Sequence, residues 1–161
     1  MRKATELDIP QLTQLYNEAF VHAKNVGDID WQPPFDSNYI RDLMADDSLY
    51  RNVGDAVSVA VKLTNQPDMR IWHDLPQPAL YISRLATSDA VRGADYVERC
   101  VLPFVFNLAR PEGRIRGDCL ADNERLRNFY IKLGATSLGN VTFYSEKLRR
   151  ELEVTRLEVV L

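Results

Sequence analysis

The sequence has 161 residues, enough for one domain with a sizeable core, and 20 Lys and Arg against 23 Asp and Glu leave a net charge of −3. That balance argues against a nucleic-acid binder, which carries a basic stripe, and no apolar run approaches the roughly 20 residues that span a bilayer. Two histidines and two cysteines without clustering argue against a metal site, and "MRKATELDIPQL" has no apolar core of a secretory signal. Cys100 and Cys119, each in an apolar context, read as two buried thiols of a cytoplasmic protein.

In chain order, residues 2–5 read as a short first strand. A helix is predicted from Asp8 to His22, with Asp8 as N-cap, Gln11 at capping-box spacing, and Leu12, Leu15, Tyr16, Ala19 and Phe20 on one face. "GDIDWQPPFDS", 27–37, is a Pro-rich loop, after which Asp36 or Ser37 can cap a second helix carrying Ile40, Leu43 and Met44. "SLYRNV" and "AVSVAVKL" flank Gly54-Asp55 as a hairpin, with Val57, Val59, Val61 and Leu63 alternating onto one sheet face. "NQPDMRIWHDLPQP" reads as a loop and "ALYISRLAT", 79–87, as a central strand.

A long helix over about 93–110 follows, with Val97, Val101, Phe104, Val105 and Leu108 as its stripe; Pro103 inside it removes a backbone donor and should kink it. "GRIRGDCLA" is a further strand. Asp122 can cap a fourth helix with the stripe Leu126, Phe129, Tyr130 and Leu133, ended by Gly134. "NVTFYSEKL" and "EVTRLEVVL" are the final strands, the last expected at a sheet edge or against a partner subunit. With no repeat or linker, a single domain over 1–161 is expected. The order predicts an α/β, three-layer fold: a mixed central sheet of about seven strands flanked by four helices.

The stretch most informative for chemistry is "RGDCLADNERLRNFYIKLGA", 116–135. Asn123 opens its helix and Tyr130 follows seven residues later, which brings the two within roughly 20° of one face. Taken alone, the helix allows two readings: a cap and a core residue, or an amide and a phenol aligned for a reaction. With "YISRLAT", "RGADYV" and "RGDCLADN" before it, the segment "DCLADNERLRNFYIKLGA" resembles the acetyl-CoA-dependent N-acetyltransferases of the GNAT superfamily. The likeness extends loosely over the whole chain, through the "DIDWQPPF" loop and "WHDLPQPALYISRLA", and is nearest to prokaryotic members without a named substrate. It implies a GNAT-like fold, acetyl-CoA as co-substrate, no metal, a small-molecule or protein amine as acceptor, and a homodimer. By position, Leu85, Ala86 and Thr87 would offer backbone groups to the pantetheine and acetyl carbonyl, where an N–H steadies the developing oxyanion. Asn123 would contact the pantetheine arm. Tyr130 would protonate the departing thiolate, whose thiol pKa of about 8.5 makes a nearby donor useful.

In this family the pyrophosphate loop reads Arg or Gln, two residues, Gly, one residue, Gly or Ala; the glycines let the backbone approach the diphosphate at a helix start. The corresponding residues are Arg92, Gly93, Ala94, Asp95, Tyr96, Val97 and Glu98. Counted from Leu85, Arg92 takes the first slot, and Asp95 and Val97 take the glycine slots. Shifted so that Gly93 is the first glycine, the frame puts Asp95 in the second. In either frame Asp95 replaces a glycine, and side chains at 95 and 97 would crowd and repel the ligand. The alternative reading of Asp95 is a residue that caps or neutralises the helix start.

The acceptor side is less marked. His73, Glu18 and Asp30 are the candidate bases, each with the alternative of a solvated surface residue, and Trp31 and Phe35 either wall the acceptor pocket or anchor a loop. Asp28, Asp30, Asp36, Asp42, Asp46 and Asp47 give the N-terminal third an acidic bias, suited to a cationic amine or to a solvated face. Cys100 and Cys119 have no neighbouring base to make them acyl carriers, so direct attack in a ternary complex is expected. The rival readings are a non-catalytic binding or regulatory module of the same fold and an unrelated α/β binding domain.

Overall fold

The chain's first helix is capped one turn earlier than the sequence suggests. In the computed structural model, which describes residues 1–25, 32–92, 94–146 and 148–161, Thr5 is the N-cap and Asp8 the third residue after it. The Asp8 carboxylate accepts from the Thr5 backbone N–H at 2.9 Å and from its hydroxyl at 3.0 Å. It also meets the Arg2 guanidinium through bonds of 2.7 and 2.8 Å and lies 3.5 Å from Arg51 Nε. Gln11, expected in the capping box, instead accepts from the Val57 N–H at 2.8 Å. A short 3-10 turn, Glu6–Asp8, then leads into α1, Ile9–Asn25.

Seven strands form one mixed sheet in the order β1-β2-β3-β4-β5-β7-β6. They are β1 Arg2–Lys3, β2 Leu49–Arg51, β3 Val59–Thr64, β4 Leu80–Thr87, β5 Arg114–Leu120, β6 Thr136–Ser145 and β7 Arg150–Val160. β4 and β5 run parallel, with Leu80 opposite Ile115 and Tyr81 opposite Arg116, whereas β5 with β7 and β6 with β7 are antiparallel. β7 therefore has a neighbour on each side, and the expectation that the last strand is an edge is corrected. It pairs with β5 along Arg114–Leu120 and with β6 along Thr136–Ser145, and its apolar residues Val154 and Leu157 are buried. Among the described residues there are five helices instead of four: the extra one, α3, Met69–Trp72, opens where Asp68 accepts from the Arg70 N–H at 3.0 Å.

By their own contacts the described residues form two compact units, Met1–Leu63 with Ser83–Phe104 and Thr64–Ile82 with Val105–Leu161. In the first, α1 and α2 (Ser37–Met44, capped by Asp36) close over Leu49, Ala60 and Ala86. Leu12, Leu15, Tyr16, Ala19, Ile40 and Leu43 supply the apolar face, as expected. Tyr50 and Phe104, 5.2 Å apart, mark the other side of the same strands, because neighbouring residues of β2 point to opposite faces. β3 begins only at Val59. Val57, expected in its alternation, precedes the strand and packs against the α1–α2 core. Phe35 is also buried there, so it anchors its loop to the core; Trp31 and Asp30 lie outside the described residues.

The second unit buries charge as well as apolar surface. Ile71, Trp72, Ala79, Tyr81, Leu120 and Val154 form its core. Beside them Arg116, 1% exposed in its side chain, donates to Glu158 at 2.8 Å and to the Tyr81 hydroxyl at 3.4 Å, with its guanidinium 5.6 Å from the Trp72 ring. Burial works against the Arg116 charge, but the bonds to Glu158 and Tyr81 outweigh it and hold the guanidinium protonated. Gly117 lets β4 and β5 approach: a Cβ there would stand 3.0 Å from Ile82 Cγ2 and 3.3 Å from the Ile82 carbonyl oxygen.

The Asp8 cluster makes a pH-dependent contribution to the first unit. Burial raises the Asp8 pKa, but the Arg2 pair and the two Thr5 bonds more than offset it, holding the carboxyl at about 2 against an ordinary 3.8. A depressed carboxyl pKa stabilises the fold above the unfolded value, and that stability is lost as pH falls through the folded one. We expect about 2 kcal/mol to disappear as pH drops from 3.8 toward 2. Asp8→Asn should lose a similar amount at neutral pH and flatten that part of the acid-denaturation profile, measured by denaturant titration at each pH.

Candidate active site

In the first unit the end of β4 is bent by one residue. Arg84 has φ 52 within the strand, a left-handed conformation that costs a non-glycine residue roughly 1–2 kcal/mol. The Tyr16 hydroxyl donates to the Arg84 carbonyl at 2.9 Å and helps to fix the bend. Tyr16 is fully buried, and burial pushes its phenol pKa up, so it remains a neutral donor. Past the bend Ala86 is buried in the α1–α2 core, and Leu85 and Thr87 are half-buried.

A 3-10 turn, Asp89–Val91, leads to α4, which starts at Ala94. α4 comprises an α-helical turn Ala94–Tyr96, a π-helical stretch Val97–Val101 and an α-helical stretch Leu102–Ala109. The wide turn accounts for Pro103: the Leu102 N–H bonds to the Val97 carbonyl, one residue further back than in an α-helix. That shift takes up the turn in which a proline ring would otherwise strike the carbonyl four residues before it. Cys100 lies off the Val97–Val101 stripe and is exposed, and only Cys119 is buried, against the expectation for both.

Ala90, Val91, Arg92, Asp95, Tyr96, Arg99 and Cys100 line an open depression of about 540 Å³. Asp95 stands exposed in the first turn, a position that both readings of it allow. Val97 does not: it is 2% exposed and faces the core, because it lies one turn before the buried Val101, so the second presumed obstruction is corrected. Arg92 is turned back onto Asp89, with Nε 3.1 Å from the carboxylate. Arg99, which the motif does not include, lines the same depression; its position one turn beyond Asp95 was the available signal. Glu98 is exposed and does not line it; Gly93 lies outside the described residues.

In the second unit Asn123, not Asp122, is the N-cap of α5, Glu124–Lys132. Its side-chain oxygen accepts from the Leu126 N–H at 3.0 Å, which Asp122, one residue too early, does not do. Tyr130 is half-buried, with its ring edge-on to Phe129 at 5.4 Å, and the helix ends as expected at Gly134 with φ 96. Of the acceptor-side candidates, His73 is exposed and Glu18 accepts from Gln14 at 2.8 Å. Of the acidic residues in the N-terminal third, Asp36 caps α2, Asp46 pairs with Lys62, Asp47 pairs with Lys3 and Asp42 is exposed, while Asp28 lies outside the described residues. Among the described residues no group of three His, Cys, Asp or Glu could hold a metal, and no helix is long and apolar enough to cross a membrane.

Comparison with solved structures gives the fold of GNAT-family acetyltransferases. A GNAT-family acetyltransferase from Streptococcus agalactiae superposes with a TM-score of 0.76 at 19% identity, covering 96% of this chain and 92% of that one. A ribosomal-protein-alanine N-acetyltransferase from Brucella melitensis gives 0.68 at 16% identity over 99% and 98% of the two chains. A candidate acetyltransferase from Salmonella typhimurium, solved with its cofactor acetyl-CoA, gives 0.67 at 16% identity over 99% and 92%. No family model and no curated protein matches the sequence.

Proposed function

We propose that this chain is a GNAT-superfamily N-acetyltransferase that moves acetyl from acetyl-CoA to a primary amine by direct attack in a ternary complex. The observation that carries the reading is the fold likeness, which spans 96% or more of the chain and includes a relative solved with acetyl-CoA. The depression along α4 supports it: Arg99 in its lining, exposed and without a carboxylate partner among the described residues, suits an anionic coenzyme. Bound acetyl-CoA would supply the activated thioester. Leu85, Ala86 and Thr87 would align its arm and acetyl group by backbone contacts, Asn123 would flank the pantetheine, and Tyr130 would return a proton to the thiolate as the amide forms. Cys119 is buried and Cys100 is exposed on α4. Neither takes part in this scheme.

Asp95 favours the second reading, a binding or regulatory module with weakened coenzyme affinity. Replacing Asp95 by Gly should tighten CoA binding by roughly fivefold, the effect of removing one exposed like charge near the phosphates. If Asp95 only supports the helix start, stability should fall slightly and affinity stay the same; calorimetry and thermal melts separate the two. The transferase reading is tested by thiol release from acetyl-CoA across a panel of primary amines, including polyamines, amino acids and peptide N-termini. Amine-dependent release is expected. Coenzyme binding without release for any amine in the panel would favour the non-catalytic module.

A further inference from the structure

Glycine takes a left-handed conformation without strain, yet the bend of β4 carries an arginine there, with φ 52. Strained backbone of this kind persists where its surroundings over-determine it, and it clusters at ligand-contacting sites. Here the holding group is the buried Tyr16, whose hydroxyl donates to the Arg84 carbonyl at 2.9 Å. That bond fixes the backbone and leaves the Arg84 side chain exposed, with no carboxylate partner among the described residues. Tyr39 is half-buried and edge-on to Tyr16, with ring centroids 5.9 Å apart. Burial raises the phenol pKa of both tyrosines, and the Arg84 charge works against that rise in both, so the guanidinium lies within electrostatic reach of the pair. Arg84 immediately precedes Leu85, Ala86 and Thr87, the backbone that would align the acetyl group. A group paired with Arg84 would therefore be delivered next to the thioester. Resting on the transferase reading above, we propose that Arg84 is a specificity-determining residue: it pairs with a carboxylate of the acceptor, and the preferred substrate is an amine that also bears a carboxylate, as a free amino acid does. A planar guanidinium takes a carboxylate through two parallel hydrogen bonds and neutralises it, whereas a phosphate dianion would keep a charge that one arginine does not compensate. A polycationic amine would be repelled, and Asp46 and Asp47, which could offset that, are paired with Lys62 and Lys3. Arg84 takes no part in the bond changes: the amine nitrogen bonds to the acetyl carbon, the C–S bond breaks, and the proton lost by nitrogen ends on the sulfur.

The 161-residue chain and its Arg84→Met, Arg84→Lys and Arg84→Gly variants would be assayed for thiol release from acetyl-CoA with each common amino acid, its carboxamide, glucosamine 6-phosphate and spermidine. Calorimetry of the chain saturated with CoA would follow amino-acid binding without turnover. We expect the best amino acid to exceed its carboxamide in kcat/KM by about ten- to a hundredfold, the effect of one charge-assisted pair. Arg84→Met should remove that preference by acting on the amino acid and far less on the carboxamide, and Arg84→Lys should keep part of it. Arg84→Gly relieves the backbone strain while deleting the guanidinium, so it should melt at or above the wild-type temperature and still lose the preference, which separates recognition from folding. Equal wild-type rates for acid and amide, a preference for spermidine or glucosamine 6-phosphate, or a parallel loss of acid and amide in Arg84→Met would overturn the assignment of Arg84 while leaving the transferase reading in place. No release with any amine, together with no amino-acid binding to the CoA complex, would remove the transferase reading and this assignment with it.

Discussion

Glu158→Ala should lower the unfolding free energy by about 3–5 kcal/mol, the usual effect of stranding one member of a buried ion pair. The side chains of Arg116 and Glu158 are only 1% and 14% exposed, and the bond between them is 2.8 Å long. Truncation leaves the Arg116 guanidinium beside Trp72 and Tyr81 with no carboxylate from Glu158, too deep for water to compensate fully. For a chain of this length the melting temperature should fall by about 10 °C. The double variant Arg116→Met/Glu158→Leu is expected to recover most of the loss, because an apolar pair of similar volume removes the desolvation penalty together with the attraction. If Glu158→Ala melts within a degree or two of wild type, the pair is solvated and the account of this core is wrong.

Tyr130→Phe should reduce kcat by about a hundredfold, the lower range for a general acid, while CoA affinity changes little. The substitution removes only the hydroxyl. The ring, half-buried and set edge-on to Phe129 at 5.4 Å, keeps its packing, so a loss of turnover could not be assigned to unfolding. A thiolate leaving without a donor departs more slowly, so acyl donors whose thiols have lower pKa values, and which need protonation less, should suffer less from the substitution. A proportional loss of CoA binding would instead make Tyr130 a packing residue.

How far the sequence foretells this molecule differs from element to element. Periodicity placed α1, α2, β3, β4, β5 and α5 because their apolar residues recur at helix or strand spacing over six or more residues. α3 escaped because four residues, Met69–Trp72, are too few to show a period. β7 was misplaced because strand order depends on pairing between distant segments. Its alternating charges, Glu151, Glu153, Arg156 and Glu158, look like those of an edge, yet Arg156 and Glu158 meet Asp74 and Arg116 in bonds that no local pattern announces. Pro103 could not be understood from local rules, since the π turn that accommodates it is a change in hydrogen-bond register.

For Asn123 and Tyr130 the sequence allowed a cap and a core residue or an aligned amide and phenol; the structure gives Asn123 the cap of α5 and leaves Tyr130 half-buried, and the spacing alone could not choose between the two readings. The candidate site was less legible where the backbone acts: the left-handed Arg84 has no sequence signature, and its partner Tyr16 lies in α1, far away in the chain. At Asp95 and Val97 the sequence shows two departures from a glycine-rich loop. Burial separates them into a core residue and an exposed charge, a distinction that depends on which way each side chain points.

If the chain binds acetyl-CoA, isothermal calorimetry of the 161-residue protein gives saturable one-to-one binding with a dissociation constant below a millimolar, weakened as salt rises because phosphates meet arginine. An absence of heat and of thermal stabilisation at several millimolar acetyl-CoA, with the protein shown to be folded, would contradict it.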